Sequence, residues 1–102
     1  GPAELHSGDL RADLVSQEVF RGQEEIKLAP VEYRLLVAFM REPGRVFTRE
    51  QLVEVIFGPD YGGYDRTVDV HILKLRRKIG DDPKNPRCIV TVHGFGYKWN
   101  CP

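Results

Sequence analysis

Residues 66–79 read Arg66-Thr67-Val68-Asp69-Val70-His71-Ile72-Leu73-Lys74-Leu75-Arg76-Arg77-Lys78-Ile79, and this stretch decides the fold. On a helical wheel with about 100° per residue, its apolar and cationic side chains separate onto opposite faces. The apolar stripe consists of Val68, Ile72, Leu75 and Ile79, and the polar face of Arg66, Thr67, His71, Lys74, Arg77 and Lys78. The pattern predicts a helix over residues 66–79 that buries one face and presents cations on the other.

The cationic face of this helix has two interpretations. A solvated face is the usual one for a charge-rich helix. Here the face carries four cations and no acid, so its charges repel one another unless they meet an anion. A helix of this kind fits the DNA major groove, where Lys and Arg bind guanine edges and phosphates. Lys74, near the middle of the face, is then expected to reach base edges, and Arg66 and Arg77, at its rim, to bind phosphate.

Two shorter helices are predicted upstream. The first begins at Pro30, because proline is tolerated at the first helical position, and it ends at Pro43-Gly44. The second begins after Thr48 and runs to about Phe57, since Thr48 and Gln51 are spaced as a capping box. The segment Gly58–Tyr64 contains three glycines and a proline and is predicted to be a loop, with Asp65 placed to cap the third helix.

β-Structure is predicted at both ends of the chain. Residues 3–28 form short alternating runs separated by turn signals, which indicates an antiparallel meander. Residues 89–92 and 97–99 flank Gly94-Phe95-Gly96 and are predicted to form a hairpin. Residues 46–47 form a short strand at most.

The predicted hairpin brings the two cysteines together. If it is centred between Gly94 and Phe95, Val92 lies opposite Tyr97 and Cys88 lies opposite Cys101. Directly opposed residues have Cβ atoms about 4.5–5.5 Å apart, close to disulfide geometry. In a reducing cytosol we expect the two thiols to stay reduced and merely pack, whereas under air they could oxidise.

Composition limits the class of protein. A chain of 102 residues with 41% hydrophobic residues accommodates one core and therefore one domain, which we assign to residues 3–102 because Gly1-Pro2 resembles the remnant of a cleaved tag. No apolar run approaches the roughly 18–20 residues of a membrane span, and no signal-peptide pattern is found. Residues 1–60 have seven Lys and Arg against eleven Asp and Glu, whereas residues 61–102 have eight against four. The neutral chain thus has a basic second part.

No metal site or catalytic site is predicted. The side chains that could bind a metal have spacings that match no ligand pattern; they are His6, His71, His93, Cys88 and Cys101. No nucleophile lies beside a base in a recognisable motif, so we expect neither a cofactor nor an enzyme. Glu32 and Arg49 are interpreted as members of structural ion pairs, and Asp69 is expected to orient a neighbouring arginine.

Four runs carry a family resemblance: Leu28-Ala29-Pro30-Val31-Glu32-Tyr33, Pro43-Gly44-Arg45-Val46-Phe47-Thr48-Arg49, Arg66-Thr67-Val68-Asp69-Val70-His71-Ile72 and Thr91-Val92-His93-Gly94-Phe95-Gly96-Tyr97. Together they resemble the OmpR/PhoB-type effector domain of bacterial two-component response regulators over nearly the whole chain. The resemblance implies an α+β winged helix-turn-helix with an N-terminal four-stranded antiparallel sheet, three helices and a C-terminal β-hairpin wing. The meander then occupies residues 3–28, the helical core 29–80 and the wing 88–100.

The resemblance also places the family's functional residues on this chain. It implies that the recognition helix, residues 66–79, enters the major groove and that the wing strands, within residues 89–99, approach the minor groove. The implied DNA contacts are Arg66, Thr67, Val70, His71, Lys74, Arg76, Arg77, Lys78, Thr91, His93 and Tyr97. The segment that the family offers to RNA polymerase corresponds to Pro59, Asp60, Tyr61, Gly62, Gly63 and Tyr64.

Partners follow from the same resemblance. It implies binding to direct repeats of double-stranded DNA as a head-to-tail homodimer, contact with RNA polymerase, and a cytoplasmic location in a bacterium. A phosphorylatable receiver domain, addressed by a sensor histidine kinase, would precede residue 1.

Three positions depart from the family pattern. His93 stands where the wing usually has Arg, and Phe57 where a Trp is common, and both changes weaken expected DNA contacts. Ala29 stands where a Thr usually caps the first helix, which costs about 1 kcal/mol of helix stability.

Two functions remain open at this point. The first is a sequence-specific DNA-binding module, either of a response regulator or of a one-component regulator with the same domain. The second is a winged-helix protein-interaction module that has lost DNA binding, since a fold does not fix a function. The basic face of residues 66–78 favours the first.

Overall fold

The N-terminal residues form an antiparallel sheet. In the computed structural model, which describes residues 2–59 and 66–101, its strands are β1 (Glu4–Ser7), β2 (Leu10–Asp13), β3 (Val19–Arg21) and β4 (Glu24–Ile26), paired in that order. Successive side chains of a strand alternate between its two faces, so Leu10, Ala12 and Val19 share the buried face. The predicted four-stranded meander is confirmed.

Three helices follow: α1 (Pro30–Arg41), α2 (Arg49–Phe57) and α3 (Arg66–Ile79). At the start of α1, the N–H of Ala29 donates to Glu32 Oε1 at 2.7 Å, but alanine has no side-chain acceptor to return a cap. α2 has the complete capping box, because Thr48 Oγ1 accepts from the Gln51 N–H at 3.1 Å and Gln51 Oε1 accepts from the Thr48 N–H at 2.9 Å. The predicted helix starts are confirmed.

The apolar stripe of α3 forms the centre of the core. Val68, Ile72, Leu75 and Ile79 are each 0% exposed. The core cluster that they join includes Leu35, Leu36 and Phe39 of α1. The helical wheel therefore identified the buried face correctly. None of the described helices is long and apolar enough to cross a membrane.

The C-terminal hairpin belongs to a three-stranded sheet. Its strands are β5 (Val46–Thr48), β6 (Ile89–Val92) and β7 (Gly96–Trp99), and β7 lies in the middle, antiparallel to both neighbours. Thr48 pairs with Gly96, where a Cβ atom would overlap the backbone carbonyl of Phe47. Glycine is therefore required at position 96 for β5 to pair with β7. The sequence did not indicate that β5 pairs with this strand.

The hairpin register differs from the predicted one by one residue. Thr91, not Val92, lies opposite Tyr97, and Val92 pairs with Gly96. The turn is shorter than expected because Gly96 belongs to β7, and the Phe95 N–H donates to Val92 O at 2.9 Å. The prediction that Val92 opposes Tyr97 is wrong for this reason.

Cys88 and Cys101 nevertheless meet. They are joined in a disulfide with Cα atoms 4.5 Å apart, just beyond the ladder, where the Asn100 N–H donates to Cys88 O at 2.7 Å. Direct cross-strand opposition of the two cysteines is thus wrong, and the structure has the oxidised pair that was expected under air rather than the reduced thiols that were expected in a reducing cytosol. The disulfide closes the open end of the wing.

Trp99 connects the two sheets through the core. It is 1% exposed, and its ring stacks against Phe39 with centroids 6.4 Å apart. Its indole N–H donates to Ser7 Oγ of β1 at 2.9 Å. Trp99 is thus a core aromatic, and it fixes β7 to both α1 and the N-terminal sheet.

Candidate nucleic-acid interface

The exposed face of α3 carries most of the predicted contacts. Thr67, Lys74 and Arg77 are exposed, Val70 is 50% exposed in spite of its apolar side chain, and His71 is half-buried. Arg66 begins the helix, and its side chain lies outside the described residues. The face is thus a cationic surface with one apolar side chain between its polar members.

Among the described side chains of this face, Lys78 forms an ion pair within the domain. Its ammonium lies 2.6 Å from Glu32 Oε1, and the Glu32 side chain is 3% exposed. The ion pair joins the end of α3 to the start of α1 and compensates a buried carboxylate. The interpretation of Glu32 as a structural ion-pair member is confirmed, and Lys78 contributes less free positive charge than the wheel indicated.

Arg76 is buried, although the resemblance placed it among the implied DNA contacts. It is 8% exposed, and its guanidinium donates to Ile89 O from Nε at 3.0 Å and from Nη2 at 2.6 Å. Nη2 also donates to Thr91 Oγ1 at 3.0 Å. Burial lowers the pKa of Arg76 from the usual arginine value. The wheel had left Arg76 off the polar face, and only the resemblance had suggested it; here it fastens β6 to α3.

Tyr97 likewise faces inward. It is 5% exposed, and its hydroxyl donates to Asp69 Oδ1 in a short hydrogen bond. Burial, followed by that hydrogen bond, raises the pKa of the Tyr97 hydroxyl above 10.0. The resemblance implied a phosphate contact for Tyr97; in the structure its hydroxyl, the one polar atom of the side chain, is bound to a carboxylate of α3.

Asp69 holds an arginine, as the sequence predicted. Arg49, at the start of α2, approaches Asp69 Oδ1 with Nη2 at 3.1 Å and Nε at 3.2 Å. The hydrogen bond to Asp69 is the main cause that raises the pKa of Arg49. Tyr97 contacts the same carboxylate oxygen, so α2, α3 and β7 converge on one acid and its repulsion toward phosphate is offset by Arg49.

The wing carries the remaining predicted contacts. Thr91 is half-buried and its hydroxyl accepts from Arg76, whereas His93 is exposed at the turn. Phe95, beside His93, is 68% exposed and is not among the predicted contacts. Its position between two glycines of the predicted hairpin turn could have indicated this exposure.

The predicted polymerase segment is described only in part. Pro59 is exposed after the end of α2. Asp60, Tyr61, Gly62, Gly63 and Tyr64, together with the predicted cap Asp65, lie outside the described residues. Phe57, where a Trp was the more common residue, is 40% exposed at the last position of α2.

Known proteins resemble this chain in sequence and in structure. Residues 22–99 match the family described as "Transcriptional regulatory protein, C terminal". The DNA-binding response regulator MtrA of Mycolicibacterium smegmatis is 44% identical over 102 residues, which cover 99% of this chain and 45% of MtrA. The chain therefore spans less than half the length of this relative.

Solved structures show the same architecture. The Klebsiella pneumoniae RstA DNA-binding domain, in complex with the RstA box, superposes with a TM-score of 0.87 at 32% identity, covering 96% of this chain and 97% of that one. The Thermotoga maritima response regulator DrrB, an OmpR/PhoB homolog, gives a TM-score of 0.86 at 34% identity, covering 96% of this chain and 44% of DrrB. Sequence, topology and superposition agree, and the chain belongs to the family of OmpR/PhoB-type C-terminal domains of transcriptional regulatory proteins.

Proposed function

We propose that the chain is the sequence-specific double-stranded DNA-binding domain of a two-component response regulator that controls transcription. α3 lies in the major groove, and the wing lies near the neighbouring minor groove. The observation that carries this proposal is the exposed face of Thr67, Val70, His71, Lys74 and Arg77 on a helix whose other face is fully buried. Its similarity to the RstA DNA-binding domain and to the DNA-binding response regulator MtrA supports it.

The contacts divide by chemistry. Lys74 reads base edges, Val70 packs against a thymine methyl group, and Arg77 and Arg66 bind phosphates on either side. Thr91, His93 and Lys98 approach the backbone from the wing. Arg76, Tyr97 and Lys78 support this arrangement from inside the domain through the contacts described above.

The larger assembly follows the family pattern. A receiver domain, phosphorylated by a sensor histidine kinase, precedes the domain, and two copies bind direct repeats head-to-tail. Residues 59–64 contact RNA polymerase. The protein acts in the bacterial cytoplasm, where its DNA is. MtrA's greater length and its name as a response regulator support this proposal.

Salt dependence tests DNA binding directly. Neutralising about four to five phosphates gives a slope of log K against log salt near −4, and hence a loss of roughly two to three orders of magnitude in affinity between 50 and 200 mM salt. Fluorescence anisotropy with a labelled duplex at several salt concentrations measures the slope. Arg77→Ala should reduce the slope by about one, because one phosphate contact is lost.

Arg41→Ala is the matched control, because Arg41 is an exposed arginine at the end of α1 rather than on α3. It should leave the slope unchanged. A wild-type slope near zero, or equal effects of the two variants, contradicts DNA binding through α3 and favours the protein-interaction module.

A further inference from the structure

The tip of the wing presents an aromatic ring. Phe95 is 68% exposed, compared with 40% for Phe57, the other exposed phenylalanine among the described residues. At the tip of the hairpin the ring offers a large apolar area and a flat face to a partner that reaches the turn.

Backbone contacts fix the position of Phe95 at the tip. The Phe95 N–H donates to Val92 O at 2.9 Å, and Gly94 adopts a left-handed φ of 83°. Gly96 is held against the backbone of Phe47 with no space for a side chain. Phe95 therefore extends from a tight turn whose base is anchored to β5.

The wing is also fastened to the proposed recognition helix. Arg76 of α3 binds Ile89 and Thr91 of β6, and Asp69 of α3 binds Tyr97 of β7. Both strands of the hairpin thus take their position from α3. When α3 enters one groove, the tip is carried to a fixed place on the adjoining DNA.

The chemistry of the tip suits a minor groove. Residues 89–99 contain no Asp or Glu, and their basic side chains are His93 and Lys98, so phosphates on either side of the groove meet no carboxylate of this segment. Minor-groove proteins insert apolar side chains, Phe among them, between base steps and partially unstack them. Pyrimidine–purine steps such as TA unstack most easily.

We propose that Phe95 inserts at a base step in the minor groove and makes the domain prefer a pyrimidine–purine step at that place. This inference rests on the proposed function and adds a specificity-determining residue to it. A step that the domain does not read through hydrogen bonds is then selected through its deformability.

The experiment compares the wild type with Phe95→Ala. Bound duplexes are first selected from a random pool with each protein, and affinities are then measured for two duplexes that differ only in a TA or an AA step at the wing position. We expect the wild type to favour TA by about fivefold or more, within the range of one base-pair change in a specific site. Phe95→Ala should lose this preference while selecting the same major-groove sequence.

Two controls accompany the comparison. Val15→Ala removes an apolar side chain that is even more exposed, 82% in the β2–β3 turn, and should keep the preference. Phe95→Trp places an indole at the tip, whose emission should change when duplex is added. The wild type, whose single Trp99 is buried, should show little change.

The outcomes separate the possibilities. An unchanged step preference in Phe95→Ala, or unchanged emission of Phe95→Trp on a tightly bound duplex, overturns insertion. Loss of cooperativity on tandem sites, with single-site affinity and step preference intact, also overturns it and assigns Phe95 to a contact between protein copies. A wild type that binds no duplex overturns the proposed function, and this inference with it.

Discussion

At the scale of single residues, position on the helix separates base reading from backbone binding. Lys74 lies near the middle of the exposed face of α3, and Arg77 lies at its rim; both side chains are exposed. Lys74→Ala should relax specificity at about one base pair, with a cost of roughly 1–3 kcal/mol on the preferred site. Arg77→Ala should weaken binding to all sequences alike. Selection from a random duplex pool with each variant measures the difference.

Arg41→Ala again serves as the control and should alter neither profile. A Lys74→Ala profile identical to that of the wild type means that Lys74 binds phosphate and that another residue reads the base. Because Lys74 and Arg77 are both exposed, replacing either with Ala should change the free energy of unfolding by no more than about 0.5 kcal/mol.

At the scale of elements, the disulfide fixes the open end of the wing. Cys88 and Cys101 are 13 residues apart, and closing a loop of about 15 residues stabilises a fold by about 3 kcal/mol in the chain-entropy account. Reduction should therefore lower the free energy of unfolding by about 2–3 kcal/mol, measured by urea denaturation with and without reductant. The Cys88→Ser, Cys101→Ser double variant should have the same free energy of unfolding as the reduced protein, and reductant should not change it. Equal stability of the oxidised and reduced wild type contradicts this expectation.

How far the sequence predicts an element depends on the range of its contacts. α3 was predictable because Val68, Ile72 and Leu75 recur at helical spacing, a local pattern. The partner of β5 was not, because three residues carry no information on which distant strand they join. The predicted register of the wing was wrong by one residue, because Gly96 belongs to β7. Its place in β7 depends on the close approach to Phe47, and so on the same pairing with β5 that the sequence did not indicate.

For the proposed interface too, the sequence predicted what depends on local spacing and not what depends on contacts between elements. The wheel separated Lys74 and Arg77 from the buried stripe. It could not show that Lys78 reaches Glu32 or that the Tyr97 hydroxyl meets Asp69, because those partners come from other elements.

At the scale of the whole molecule, two tyrosines limit stability at high pH. Burial is the main cause that raises the pKa of both Tyr97 and Tyr33 above 10.0. The two tyrosines contribute fully to the free energy of unfolding below the pKa of tyrosine in the unfolded chain. This contribution is lost as the pH rises through their pKa in the folded protein, because the unfolded chain ionises first. The free energy of unfolding should therefore fall above about pH 10.

Tyr97→Phe tests this dependence. Near pH 8 the variant should be less stable by about 1 kcal/mol, since the hydrogen bond to Asp69 is lost. Between pH 9.5 and 10.5 its stability should decline less with pH than that of the wild type. Urea denaturation at each pH gives both quantities, and Tyr33→Phe serves as a companion variant. A decline as steep as that of the wild type means that Tyr97 does not govern alkaline stability.

The bond between Trp99 and Ser7 bears on how the chain folds during synthesis. Residue 99 supplies a ring that residues of α1 and β1 pack against, and β7 is the central strand of its sheet. Translation delivers the N-terminal part first, so the meander and α1 leave the ribosome without the side chain that completes their core. They reach the native packing only after residues 96–99 have emerged, in one late step dominated by contacts between distant parts of the sequence. A nascent chain stalled before β7 should thus be open to proteases along its whole length, and the same chain released after Trp99 should become resistant at once.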